Sequence, residues 1–384
     1  MKAWRLFPGL VLALALVFPP SAAHAAEEED GGPDPAAFSA YRSWAMPVFK
    51  DWSVRPYTSS RMAERNGQAY VGTREGRLYS VDAESGGISW VRDLGGRFAG
   101  GPAISENGER VYIGTDEGEV WALKTGNGET IWKSQVSSEV ITVPRMAAGM
   151  VFVRTADDFL WALRAADGGT RWSYNVEGRS LALRGGSRPA YFEGKVFSGF
   201  STGELVALDA GNGSPQWRES IATPTGRTEL ERMVDVDAAP VVLDGIVYAA
   251  AYHGSVSALQ AGSGRQLWQR KFSVHNDLAV AGQRIFIATS DSKVVALDRD
   301  NGGTLWTQKV LQGAGSLSAP VLTERAVVVG DGQGRVTWFA RESGKVLAQM
   351  DVGLSAVHSP PLPVGEGALL VLTDEGTLNR VGLD

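Results

Sequence analysis

The chain has 384 residues, 43% of them hydrophobic, and 37 Lys and Arg stand against 43 Asp and Glu for a formal net charge of −6. That mild acidity leaves no electrostatic footprint for nucleic acid, while the apolar content suffices for a large core. There is no cysteine, so neither a disulfide nor a cysteine-linked lipid is available and the fold must rest on packing.

In chain order, Lys2 and Arg5 supply a positive start, Leu10 to Phe18 is an unbroken apolar run, Pro19 and Pro20 end it, and Ala23-His24-Ala25 is a small-x-small site. This is the pattern of a secretory signal peptide over residues 1–25. The apolar run is too short for a stable transmembrane anchor, so export to the periplasm is expected. Residues 26–38 are rich in Glu, Asp, Gly, Pro and Ala, a composition that cannot bury a core and predicts a disordered acidic leader.

Residues 39–384 repeat one phrase. Val111-Tyr112-Ile113-Gly114-Thr115-Asp116-Glu117-Gly118-Glu119-Val120-Trp121-Ala122-Leu123 is followed by a Gly-containing turn and then Trp132. Equivalent tryptophans fall at Trp90, Trp132, Trp172, Trp217, Trp268 and Trp306, at intervals of 42, 40, 45, 51 and 38 residues. A period of this length with several short strands per unit signals a β-propeller. Each unit opens on a proline (Pro102, Pro144, Pro189, Pro240, Pro320), carries an Ala-Leu pair in its third strand, and turns on Asn-Gly or Asp-Gly before the tryptophan. Proline is tolerated where a strand begins, and Asn-Gly suits turns that need positive φ. The repeated tryptophan is expected to fill the space between blades. Near Ala348 and Gln349 the seventh unit lacks it, and an eighth unit, Leu369 to Val381, ends before its fourth strand. Ala40 to Phe49, with Trp44, is an orphan strand that completes this last blade. The expected fold is all-β: an eight-bladed propeller of four-stranded antiparallel blades, closed by an N-terminal strand.

Signals of chemistry are sparse. His253, His275 and His358 fall in different repeats without metal-ligand spacing. Asp298-x-Asp300-Asn301-Gly302 is a fragment of a calcium loop without its later ligands, and it coincides with an ordinary repeat turn. No nucleophile elbow, zincin helix or phosphate loop is present. No catalytic residue, cofactor or metal is expected.

The irregular feature is length. The two longest tryptophan intervals are adjacent, and a repeat architecture places extra residues in loops on one rim. The first holds Ser180 to Ser187, the second Ala222 to Met233 followed by Asp235-Val236-Asp237. In extended chain Leu181 and Leu183 share a side, with Arg184 on the other, and Asp235 and Asp237 share a side. Two carboxylates so near repel, so a cation is expected between them, either Arg184 or a basic group of a partner. Apolar anchors beside charges suit protein docking; equally, the leucines suit core and the aspartates a strand start. Glu119 is taken as a reference on the far rim.

The repeat resembles the quinoprotein-like, PQQ-repeat propeller family. Within it, SLALRGGSRP (Ser180 to Pro189), RTELERMVDVDAAPVV (Arg227 to Val242) and GTLWTQKV (Gly303 to Val310) are similar to a branch that assists outer-membrane protein assembly. That resemblance spans nearly all of the chain after the signal segment. It implies a non-enzymatic scaffold of the β-barrel assembly (BAM) complex, placed in the periplasm at the inner face of the outer membrane. The implied partners are the periplasmic POTRA domains of BamA, the other subunits of that complex, and unfolded outer-membrane proteins. It also implies that Leu181, Leu183, Arg184, Asp235 and Asp237 contact BamA. Members of that branch are typically lipoproteins, whereas this sequence has no cysteine to acylate, so attachment through protein partners is expected. The alternatives are a periplasmic PQQ-dependent dehydrogenase, disfavoured by the missing cysteine pair and calcium site, and a generic periplasmic protein-binding propeller.

Overall fold

The computed structural model describes residues 38–48, 61–176, 186–223, 234–365 and 367–384; all belong to one unit, Gly31–Asp384. The expected signal peptide and, apart from Phe38, the leader lie outside them. The described residues form eight four-stranded antiparallel sheets and no helix. Within blades 1 to 7 the strands are paired in chain order. The innermost strands open directly after the repeat prolines, for example Ala103–Ile104, Arg145–Ala147, Ala190–Phe192 and Val241–Leu243. These inner strands neighbour one another around the ring, and that of blade 1, Met62–Arg65, meets that of blade 8, Leu362–Val364.

The ring closes as the sequence predicts. Ala40–Pro47 pairs antiparallel with Thr377–Leu383 and supplies the outer strand of blade 8. The Asp384 amide donates to the Ser39 carbonyl just before the closing strand.

One cross-strand row explains the tryptophan repeat. In blade 3, Phe152 faces Ala162, which faces Trp172. The small middle residue leaves room for the indole, whose ring centroid lies 5.8 Å from that of Phe152. The Trp172 indole N–H reaches the next blade and donates to the Ala210 carbonyl at 3.0 Å. Gly213, at φ +75°, lies beneath the ring, where an added Cβ would come within 2.7 Å of it. The same latch recurs from Trp90 to Thr125, Trp132 to Ala165, Trp217 to Ala261, Trp268 to Arg299 and Trp306 to Arg341. Trp44 of the closing strand makes it to Glu84 of blade 1. Each indole thus fills an inter-blade gap and satisfies a turn carbonyl, two gains from one side chain.

Blade 7 reverses the row: Val328 faces Trp338, which faces Ala348. In its neighbour, blade 8, the third strand Thr377–Leu383 and the outer strand Ala40–Pro47 are not consecutive, so no covalent turn between them presents a carbonyl. The indole has moved inward one strand and is fully buried with Leu369, Val371 and Val381 of blade 8.

Candidate partner-docking face

In each blade the second and third strands are joined by a tight turn, and the segment leaving the outer strand returns beside it. Leu94, Val136, Ile221 and Val352 donate their amides to Gly76, Gly118, Gly203 and Gly334. These turns and the inter-blade segments therefore share one face. The long segments, 176–189 and 221–240, both lie between strands that begin and end there. Glu119 adjoins Gly118, so it belongs to this face too. The expectation that it marks the far rim is corrected. Its carboxylate is held by Lys133 and by the Trp121 indole at 3.0 Å. Asp300, in the turn before the outer strand of blade 6, is exposed on the opposite face.

The described ends of the two long segments meet. The Ser187 hydroxyl donates to the Ala238 carbonyl at 3.2 Å and accepts from the Gly199 amide at 3.3 Å. The second segment presses onto blade 4 so closely that a Cβ at Gly199 would lie 2.3 Å from the Val236 carbonyl oxygen. Asp235 forms an isolated bridge with Tyr252 of blade 5, whose amide donates to the Asp235 carbonyl at 2.9 Å.

Leu181, Leu183 and Arg184 lie outside the described residues. Asp235 and Asp237 are described, and they are buried, 3% and 6% exposed. In this conformation they do not present themselves to a partner, and the expectation of surface carboxylates is corrected accordingly. The reason is the close packing of Val234 and Val236, both fully buried, against blades 4 and 5.

What lies beside these carboxylates is a charged cluster the sequence reading missed. Arg154 ends the second strand of blade 3, Met150–Arg154, and is 3% exposed. Its guanidinium donates to the Gly199 carbonyl of blade 4 and to the Asp158 carboxylate. It also covers the Phe200 ring at 4.5 Å from the centroid, a cation–π contact. Ser201 donates to the other Asp158 oxygen at 2.5 Å. Burial pushes Asp235 up to about 7, with the Asp158 charge adding to the shift and Arg154 opposing it. Asp237 is raised well above its ordinary range, first by burial and then by the Asp235 charge. Asp237 Oδ1 has no hydrogen-bond partner among the described residues. One arginine thus faces three carboxylates, and burial and mutual repulsion favour the protonated form of the pair at 235 and 237 more than in exposed aspartates.

The signal for this cluster is a break in the repeat. At the position of Arg154 blades 1, 2 and 4 to 7 have Gly72, Gly114, Gly199, Ala250, Ala288 and Gly330, and blade 8 has Leu372; none is charged. At the position of Asp158 they have Gly76, Gly118, Gly203, Gly254, Gly334 and Gly376, with Ser292 in blade 6; none is charged. Asp158 accepts the turn's left-handed conformation, φ +69°, at a conformational cost that glycine avoids.

The histidines play no joint role: His358 pairs with Asp374 at 2.7 Å, and burial, with the His358 charge, lowers His275. Asp298 caps its own turn through the amides of Asp300 and Asn301. Among the described residues no group of acids and histidines could hold a metal. No helix among them is long and apolar enough to cross a membrane.

A family model described as outer membrane protein assembly factor BamB matches residues 42–108, 74–308 and 290–382. The chain belongs to this family. The BamB of Salmonella typhimurium is 37% identical over 320 residues, 81% of each chain. The solved structure of BamB from Moraxella catarrhalis superposes with a TM-score of 0.81 at 23% identity, covering 90% of this chain and all of that one. A quinohemoprotein alcohol dehydrogenase from Comamonas testosteroni reaches 0.71 at 12% identity, over 89% of this chain and 76% of its own. That second likeness is one of fold alone; the BamB family shares its blades with quinone enzymes without thereby sharing their chemistry.

Proposed function

We propose that this chain is a non-enzymatic scaffold subunit of the BAM complex, working in the periplasm at the inner face of the outer membrane. It docks on the POTRA domains of BamA through the face that carries segments 176–189 and 221–240. The observation that carries this reading is the meeting of the described ends of the two long segments, in a chain of the BamB family, beside a cluster that ties blades 3, 4 and 5 together. Leu181, Leu183 and Arg184 would make the contact. Asp235 and Asp237 would act from beneath, by fixing the course of the second segment.

This division of labour changes the mutational test. Arg184→Glu leaves like charges facing across a desolvated surface and should abolish co-purification with BamA while the melting temperature holds. Leu181→Ala with Leu183→Ala should weaken binding, each leucine contributing about 1.5–3 kcal/mol if fully covered. Asp300→Lys on the opposite face should leave binding intact. Folded variants at 181, 183 and 184 that bind as wild type would remove the site. A wild type that does not bind BamA would remove the function.

A further inference from the structure

The inner-strand regions of blades 1 to 4, 7 and 8 line a cavity of about 580 Å³, walled by Pro102, Pro144 and Pro360 among others. Three arginines line it: Arg61, just before the inner strand of blade 1; Arg145, the first inner-strand residue of blade 3; and Arg188, just before that of blade 4. All three therefore stand where inter-blade segments enter the ring, at one mouth of the cavity. Glu64, Arg65 and Glu106 line it further along the inner strands or beyond them. The carboxylate facing the three arginines is Asp277, before the inner strand of blade 6. It is already engaged, pairing with Arg61 at 2.6 Å and accepting the Ala239 amide at 2.7 Å.

Arg145 Nε is buried with no hydrogen-bond partner among the described residues. Burial lowers the Arg188 guanidinium from its ordinary value, and Arg61 and Arg145 add to this against the pull of Asp277. Solvent nonetheless reaches Arg188, as a cavity-lining side chain requires. Three guanidiniums around one carboxylate leave an excess of positive charge in a recess walled by protein, where field lines are focused and like charges repel strongly. Nothing in blade packing calls for this arrangement, since the tryptophan latches lie at the outer strands.

We propose that this mouth of the central cavity is a binding site for a small oxyanion carrying at least two negative charges, held by Arg61, Arg145 and Arg188. Guanidinium forks match phosphate and carboxylate oxygens alike, so both sources share the required chemistry. The site is independent of the docking reading.

Inorganic phosphate and citrate, each against sodium chloride at matched ionic strength, are the probes. Titration calorimetry of the full chain should show saturable binding of at least one, with a matching rise in melting temperature. Phosphate alone would identify a phosphoryl ligand, citrate alone a carboxylate one, and both a general oxyanion site. Arg145→Gln with Arg188→Gln should weaken binding roughly tenfold or more, since two charge-assisted bonds are lost. A readout that needs no variant is modification of wild type by phenylglyoxal, with sites mapped by mass spectrometry. Bound anion should protect Arg61, Arg145 and Arg188 while exposed arginines such as Arg171 react as before. Absence of saturable binding by either probe, undiminished binding in a folded double variant, or lack of selective protection would each overturn the proposal.

Discussion

Blades 3 and 7 depart from the repeat in opposite ways. Blade 3 keeps the row Phe152, Ala162, Trp172 and its latch to blade 4, but replaces the two small residues of its face with Arg154 and Asp158. Blade 7 keeps Gly330 and Gly334 at the face but exchanges the large and small residues of the row, Trp338 for Ala348. The blade 7 change answers a problem of closure, because the third and outer strands of its neighbour are not consecutive and offer no turn carbonyl. The blade 3 change answers no packing need. A buried arginine with three carboxylates is costlier than the glycines it replaces, and it lies beside the described ends of the two long segments. A departure at a seam is architectural; a departure at a face, at such cost, marks a place where something else is being arranged.

The largest test of the closure half of this comparison removes its keystone. Deleting Ala40–Pro47 strips blade 8 of its outer strand, the Trp44 latch to Glu84 and the Arg42 bond to the Asp351 carbonyl at 2.7 Å. The exposed edge and opened core should cost a large share of the stability of a typical domain, about 5–15 kcal/mol. Denaturant unfolding and size-exclusion chromatography should show aggregation or a non-cooperative chain. A truncated protein that melts like the full one would show that the ring does not depend on this strand.

The next largest effect belongs to blade 3. Arg154→Leu leaves Asp158, Asp235 and Asp237 buried without a cation, and breaking a buried pair costs about 3–5 kcal/mol. Urea unfolding should record that loss, and BamA binding should fall with it because the second long segment loses its seat. A folded Arg154→Leu variant of wild-type stability would reduce the cluster to an incidental one.

Substituting the two tryptophans compares the blades directly. Trp172→Phe leaves the Ala210 carbonyl unpaired and should cost about 1–3 kcal/mol beyond the lost volume. In Trp338 the indole N–H is buried without a partner among the described residues, so Trp338→Phe removes an unsatisfied donor and loses volume alone. Thermal melts should therefore rank Trp172→Phe as the more harmful. Equal losses would mean that the latch adds nothing to packing.

The propeller was legible because its determinants are local and repeated: a proline before most inner strands, a small residue facing the tryptophan in blades 1 to 6, a glycine under each latching ring. Even the closing strand announced itself, since Trp44 sits in an otherwise unplaced segment. The docking face was legible only as excess length. Loop length says where residues accumulate, not which way they point, so Asp235 and Asp237 read as surface groups although Val234 and Val236 pull them inward. Arg154 was visible as a break in the alignment of blades, but its partners come from blades 4 and 5, and no spacing in sequence announces them. The cavity arginines are harder still: each looks ordinary in its own repeat, and only closure of the ring brings them together.

The smallest expected effect is the one that isolates the proton in blade 3's cluster. Asp235 and Asp237 are raised above the usual carboxylate range, the first to about 7. A folded-state value above the unfolded one means that the native chain binds more protons between the two. Stability from this pair is therefore fully present below about pH 4, the unfolded value; the share of Asp235 is lost as pH rises through about 7, and that of Asp237 falls in the same direction. Asp237→Asn keeps the shape of the protonated acid and removes one of the two titrations. Urea midpoints measured from pH 4 to pH 8 should slope downward less steeply in this variant than in wild type, with its advantage greatest at the alkaline end. Because the substitution spares Arg154, Asp158 and Ser201, the seat of the second segment should survive and BamA binding at neutral pH should hold. Parallel slopes in the two proteins would mean that the carboxylates are solvated in solution, and with that the contrast between a charged face in blade 3 and an apolar seam in blade 7 would lose its physical basis.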